Sequence, residues 1–249
     1  GAASLAGLAL LLAAPGCGPS IASKKTVNAM IAAQDYAAAE AHLNRVKEPQ
    51  YGRKNAVLYY LDLGTVQHHA GKYRESDRSF DAAETRMQEL YTKSVTKAAG
   101  SLMINDYTMD YAGEVFERAL TNVFRALNYL YLGELDEAIV ESRKVEVYLD
   151  ELGRHREKKR VYRDDAFARY LDGMLYEDAG KADDSRISFE AADRAYKWYA
   201  RDYATPVPAF EVSPEEGDAE IVLIHYAGVA PRKISKTFQV AWNKAMLAV

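Results

Sequence analysis

The chain has 249 residues, 49% of them hydrophobic and 27% charged, which is too apolar for a disordered polymer and long enough for one or two domains with a buried core. Its formal net charge of -4 gives no overall basic footprint and argues against a generic nucleic-acid binder. A single cysteine, Cys17, excludes an internal disulfide and any cysteine-based metal cluster.

The first segment, residues 1–17, runs GAASLAGLALLLAAPGC. The apolar stretch Leu5 to Ala14 is too short to span a bilayer as a helix, so it reads as the hydrophobic part of a secretory leader. Neither an initiating methionine nor a basic start precedes it, and the sequence is expected to begin inside its precursor. Small residues Ala14, Pro15 and Gly16 lead directly into Cys17. The arrangement resembles a bacterial lipoprotein signal, which implies cleavage before Cys17 and lipidation there; Pro15 departs from the commonest form of that signal. Acyl chains contribute roughly 0.8 kcal/mol per buried CH2, enough together to hold a soluble domain on a membrane. Gly18, in place of an acidic residue, implies the outer membrane, with the domain facing the periplasm. The plainer readings are an unlipidated secretory peptide or a buried first helix.

From Lys24 onward the pattern is helical and repetitive. In Tyr60 to Ala83, Gly64 and Ser76 permit close backbone approach, Gly71 supplies a turn, and Tyr73, Phe80 and Ala83 fill the seam between two antiparallel helices. Ala126, Tyr129, Gly133, Leu135, Ala138, Ser142 and Val145 repeat this grammar, as do Gly173, Tyr176, Gly180, Ala182, Ser185, Phe189 and Ala192. A weaker copy keeps Tyr36, Ala39, Leu43 and Val46 after the turn-like pair Gln34-Asp35. These motifs resemble the tetratricopeptide signature. The fold class expected is all-α, a superhelix of stacked antiparallel helix pairs over residues 22–200, with a short β-containing C-terminal segment.

Gly71, Gly133 and Gly180 lie 62 and 47 residues apart, against about 34 for an uninterrupted array, so extra material must sit between helix pairs. The first insertion expected is Tyr91 to Gly113, read as a structured loop; the second is the charged run Arg154 to Asp165, read as an exposed helix end or loop. Residues 201–218, with Pro206, Pro208 and Pro214, read as a linker. The branched run Ala219 to Gly228 reads as a strand opening a second domain over 219–249. A lone strand is not stable, and that domain is expected to continue beyond Val249.

Asn105-Asp106 through Tyr111, Gly113-Glu114, Phe116-Glu117-Arg118, Ala126 to Leu130 and Ala227 to Lys233 together resemble an uncharacterised family of bacterial tetratricopeptide-containing lipoproteins, over most of residues 25 to 235. That resemblance implies compartment and architecture, without an established activity.

Two sets of side chains stand out as partner contacts. Leu58, Leu61, Thr65 and His68 share one helix face and are expected on a hollow surface beside Val123, Leu127 and Leu130, although leucines at such spacing also read as core. Asn105, Asp106, Tyr111, Glu114, Glu117 and Arg118 form the densest polar and aromatic cluster. They serve either as a contact loop or as bracing, with Glu114 and Arg118 spaced to pair on one helix face. The histidines His42, His68, His69, His155 and His225 show no metal-ligand spacing such as H-E-x-x-H, and neither a nucleophile elbow nor a phosphate loop occurs. Carboxylate pairs such as Asp136-Glu137 and Asp164-Asp165 leave a hydrolase as the least favoured reading. No cofactor is expected. The basic run from Arg154 to Arg163 suits anionic lipid or an acidic envelope polymer, or simply solvent. The function expected is an envelope-anchored scaffold or adaptor for a protein or peptide partner; the alternative is an envelope binding module for peptide, glycan or peptidoglycan.

Overall fold

The computed structural model describes residues 21–97, 110–154, 162, 164–203, 221–226, 239–242 and 245–248. The chain divides into two units, Gly1–Phe210 and Glu211–Val249. The first contains eight described α-helices, α1 (Ile21–Ala32), α2 (Tyr36–Val46), α3 (Ala56–His69), α4 (Tyr73–Lys97), α5 (Val115–Tyr131), α6 (Leu135–Arg154), α7 (Ala166–Asp178) and α8 (Ala182–Tyr203), with a π-helical turn, Lys47–Tyr51, between α2 and α3. They pack as consecutive antiparallel pairs, α3 on α4, α5 on α6 and α7 on α8, with the shorter α1 and α2 ahead of them. Each pair then packs on the next through α4 against α5 and α6 against α7. This is the all-α superhelix that the repeat pattern implies. No described helix is long and apolar enough to cross a membrane.

The turns explain why the pairs form where they do. Gly71, Gly133 and Gly180 have φ of 72°, 75° and 69°, a left-handed conformation that costs a side chain roughly 1 kcal/mol or more. Each closes its first helix with the same two bonds. At Gly71 they are Gly71 N–H to His68 O at 3.0 Å and Lys72 N–H to Gln67 O at 2.9 Å, which satisfy carbonyls that the helix end leaves open. Gln34 takes the same role between α1 and α2 at φ 57°, and Asp35 then caps α2 by accepting from Ala38 N–H at 3.1 Å. The expected weak repeat is thus a true copy whose turn lacks its glycine.

Crossing distances are set by small residues facing large ones. A Cβ on Gly64 would lie 3.0 Å from the Phe80 ring, and one on Gly173 would lie 2.5 Å from the Phe189 ring. The middle pair solves the same crossing with Ala126 on α5, fully buried. Leu43 and Ala39 of α2, both fully buried, join Val27, Tyr59 and Val66 in the first core cluster. Val57, Ala83 and Met87 centre a second. Each buried large aliphatic side chain contributes about 1.5–3 kcal/mol.

Two expectations change. The first insertion does not begin at Tyr91, because α4 continues to Lys97; the ring of Tyr91 lies under the Arg118 guanidinium at 5.4 Å, a contact that rewards another turn of helix. Part of the extra spacing is therefore taken up by long second helices. Met103 to Met109, the centre of that insertion, lie outside the described residues, as do Cys17 and most of the basic run from His155 onward. In the second unit, residues 221–226 form no strand, and Ile221 and Leu223 are 84% and 89% exposed. The described strands are later, β1 (Gln239–Trp242) and β2 (Ala245–Ala248), paired antiparallel with Val240 opposite Leu247.

Candidate functional site

The helix face expected to be open is largely occupied. Leu61 packs on the core cluster of Val57, Ala83 and Met87, and the Thr65 hydroxyl donates back to the Leu61 carbonyl at 2.8 Å. Val123 and Leu127, expected on the same hollow surface, are 2% and 1% exposed. They are interior because α5 is packed by α3, α4, α6 and α7. Leu58 and Leu130 remain half-buried.

His68 is also interior, at 4% exposure, and its surroundings fix its chemistry. The Ser76 hydroxyl donates to the Gly64 carbonyl at 2.8 Å and accepts from Asn128 Nδ2 at 2.9 Å. That orientation turns Asn128 Oδ1, which can only accept, toward His68 Nδ1 at 2.7 Å. Nδ1 therefore carries the proton. Burial pushes the His68 pKa down, and the Phe124 and Tyr73 rings meet the imidazole edge-on at 4.9 Å and 5.7 Å. A neutral histidine thus ties α3 and α4 to α5.

The polar and aromatic cluster resolves into bracing at the start of α5. Glu117 Oε2 accepts from Glu114 N–H at 2.8 Å and from the Tyr111 hydroxyl at 2.6 Å, the reach-back of a capping box. Tyr111 N–H in turn donates to the Lys54 carbonyl at 2.8 Å. Arg118 does not turn to Glu114; it donates to the carbonyls of Met87 and Ala112 at 3.3 Å and 3.4 Å, because Tyr91 draws its guanidinium toward α4. Asn105 and Asp106 lie outside the described residues.

Polar groups buried between the pairs went unread in the sequence. Arg125 on α5, 7% exposed in its side chain, reaches Asp77 at 2.8 Å and Glu84 at 2.6 Å on α4, and Glu141 at 3.2 Å on α6. Arg169 on α7 holds Asp150 of α6 at 2.6 Å and Asp164 at 3.0 Å. Asp172, 2% exposed, accepts a short hydrogen bond from the Ser142 hydroxyl of α6. Burial raises its pKa to about 7. Sequence does offer a signal for these residues. Eight positions ahead of the three turn glycines stand Leu63, Arg125 and Asp172, so the last two put charge where the first pair puts core.

Between α4 and α6, with α5 beneath, runs an open groove of about 690 Å³ lined by Met87, Arg118, Asn122, Val140, Lys144 and Val147 among others. Val140 and Val147 are 54% and 61% exposed, whereas Asn122 is 8% exposed and its Oδ1 has no hydrogen-bond partner among the described residues. A half-apolar groove with a few convergent polar groups is the form binding sites usually take. Asn122 and the two valines were not read as a site because they converge from helices distant in sequence.

No family model, curated protein or solved structure matches the chain, and its architecture stands on the stacked helix pairs themselves, a helical repeat of the general tetratricopeptide-like kind.

Proposed function

We propose that this chain is a scaffold of a bacterial envelope, anchored by lipid at Cys17, that holds a protein partner on its helical stack. The observation that carries the reading is the groove between α4 and α6, where two valines stand more than half exposed above a floor with an unmatched acceptor. Solvated apolar side chains beside an unpaired buried oxygen are costly for the free protein, and a bound chain relieves both costs. Stacked helix pairs supply the rigidity: the buried Arg125 of α5, bound to Asp77 and Glu84 of α4 and to Glu141 of α6, ties both walls of the groove to its floor. Anchoring is supported by the sequence around Cys17, and a scaffold role needs no reaction chemistry.

The test is cross-linking in envelopes of cells producing the chain, followed by membrane fractionation and affinity capture. A protein partner captured by the parent chain and lost from Val140→Glu together with Val147→Glu, and a shift of the chain out of the membrane fraction on Cys17→Ser, are the expected results. Capture of glycan or peptidoglycan fragments without any protein favours the binding-module reading. Membrane association unchanged in Cys17→Ser removes the anchor.

A further inference from the structure

We infer that the α4–α5–α6 groove is a site for an extended peptide that brings a backbone N–H to Asn122 and a carboxylate to Arg118. This deepens the scaffold reading and rests on it, naming the partner's chemistry and where it lies.

Asn122 is the first part of the argument. Its Nδ2 is already committed to Glu84 of α4 at 3.4 Å, which fixes the amide with Oδ1 as the group left over. Oδ1 lacks a donor among the described residues although the residue is 92% buried by its 8% exposure. Leaving a buried acceptor unmatched is expensive, and what it lacks is a donor. Asn122 lines the groove, so a ligand lying there is the nearest source of that donor. A peptide N–H is the neutral donor that every residue of an extended chain except proline repeats.

Charge supplies the second part. Arg118 and Arg143 both line the groove, and neutral groups hold them: Arg118 the two carbonyls and the Tyr91 ring, Arg143 the Tyr176 hydroxyl at 2.9 Å. Arg118 has no carboxylate partner among the described residues. Lys144, which also lines the groove, is already paired with Glu141 at 3.0 Å and lies 3.6 Å from Glu84. A guanidinium is built to accept a planar carboxylate through two parallel bonds, so an anionic group entering here meets unspent donors in a chain whose net charge is -4.

Geometry joins the two. Arg118 and Asn122 are one turn apart on α5, about 6 Å along its axis, which two residues of extended chain span at roughly 3.3 Å each. Val140 and Val147 are two turns apart on α6, about 10 Å, or roughly three extended residues. The fitting ligand is a short extended segment with its carboxylate about two residues from the N–H bound by Asn122, and with aliphatic side chains toward the valines and Met87. The carboxylate comes from an aspartate or glutamate side chain or from a free C-terminus.

The experiment is selection of a phage-displayed random decapeptide library on the immobilised chain, followed by fluorescence anisotropy with the winning peptide synthesised as free acid and as C-terminal amide. Enriched peptides carrying a carboxylate two residues from an aliphatic side chain are expected. Arg118→Gln and Val147→Glu each weaken them at least tenfold, and Tyr131→Ala, at another exposed site, weakens them less than twofold. Val147 is 61% exposed, so its variant keeps the fold, and an unchanged helical dichroism spectrum checks this. Loss on amidation assigns the C-terminus as the carboxylate source; retention assigns a side chain. No enrichment over uncoated wells overturns the proposal, as does binding that ignores both groove variants. If Leu58→Glu abolishes such groove-independent binding, or if a protein is captured in envelopes while no peptide is selected, the scaffold reading survives and the groove assignment falls.

Discussion

Replacing Asp172 by asparagine should stabilise the protein at pH 8 and do far less at pH 5. Asp172 is a carboxyl group 2% exposed at the seam between α6 and α7, and its pKa is raised from 3.8 to about 7, first by burial and then by the Glu146 charge, against the opposing Ser142 hydroxyl, Arg169 and Arg143. The folded protein thus binds this proton more tightly than the unfolded chain. Between pH 4 and pH 7 the native state holds more protons, so stability contributed by this group is present at low pH and lost as pH rises through that window. With about 1.36 kcal/mol per pKa unit, the loss between pH 5 and pH 8 comes to roughly 2–3 kcal/mol. Asparagine keeps an oxygen for the Ser142 hydroxyl and never ionises. Urea denaturation of both proteins at the two pH values isolates the effect, because every other titrating group cancels in the difference. The stability gap in favour of Asp172→Asn should widen by roughly 2–3 kcal/mol from pH 5 to pH 8; a gap equal at the two values refutes the protonated-carboxyl reasoning. His68 acts with the opposite sign, since its lowered pKa withdraws stability as pH falls below about 6.5.

The turns and the seams make two further predictions. Gly173→Ala should cost about 1–3 kcal/mol in urea denaturation, because its Cβ meets Phe189 at 2.5 Å and the ring must move; Gly133→Ala, with open space but φ of 75°, should cost only about 1 kcal/mol. Equal costs would show that ring contact does not limit the crossing. Arg125→Ala should destabilise by about 3–5 kcal/mol, since it removes the buried guanidinium that Asp77, Glu84 and Glu141 share and leaves the two glutamates to Lys144 alone among the described cations. Added salt should recover part of that loss, seen as a smaller difference in denaturation midpoint at 1 M sodium chloride.

Much of this fold was legible because its instructions are local. A left-handed turn demands glycine at one position, so Gly71, Gly133 and Gly180 announced the hairpins without any knowledge of what packs around them. The same holds for Gly64 before Phe80 and Gly173 before Phe189, where one small residue and one ring lie on adjoining helices. Gln34 is the exception that shows the limit: its turn was read from Asp35 and the apolar spacing that follows, although the residue itself gives no conformational signal. Tyr91 misled for a different reason. Helix continuation there depends on Arg118, 27 positions further on and invisible to local propensity.

The seams were hidden because their meaning is non-local. Arg125 bonds residues 48 and 41 positions away, and Asp172 bonds Ser142 at a separation of 30. Read alone, a charged residue within an apolar stripe looks like an exposed one or a break in the pattern. Aligned on the turn glycines, the position that holds Leu63 in the first pair, at 8% exposure, holds Arg125 in the second and Asp172 in the third. A stack whose seams were all leucine would tolerate its pairs in any order, because apolar contact is not directional. With an arginine that is satisfied only by the carboxylates of α4 and α6, and an aspartate that needs the hydroxyl of α6, each pair fits one neighbour on each side. The walls of the groove between α4 and α6 are thereby held at one spacing, and the polar seams that cost stability are the same ones that give the groove a fixed shape for a ligand to match.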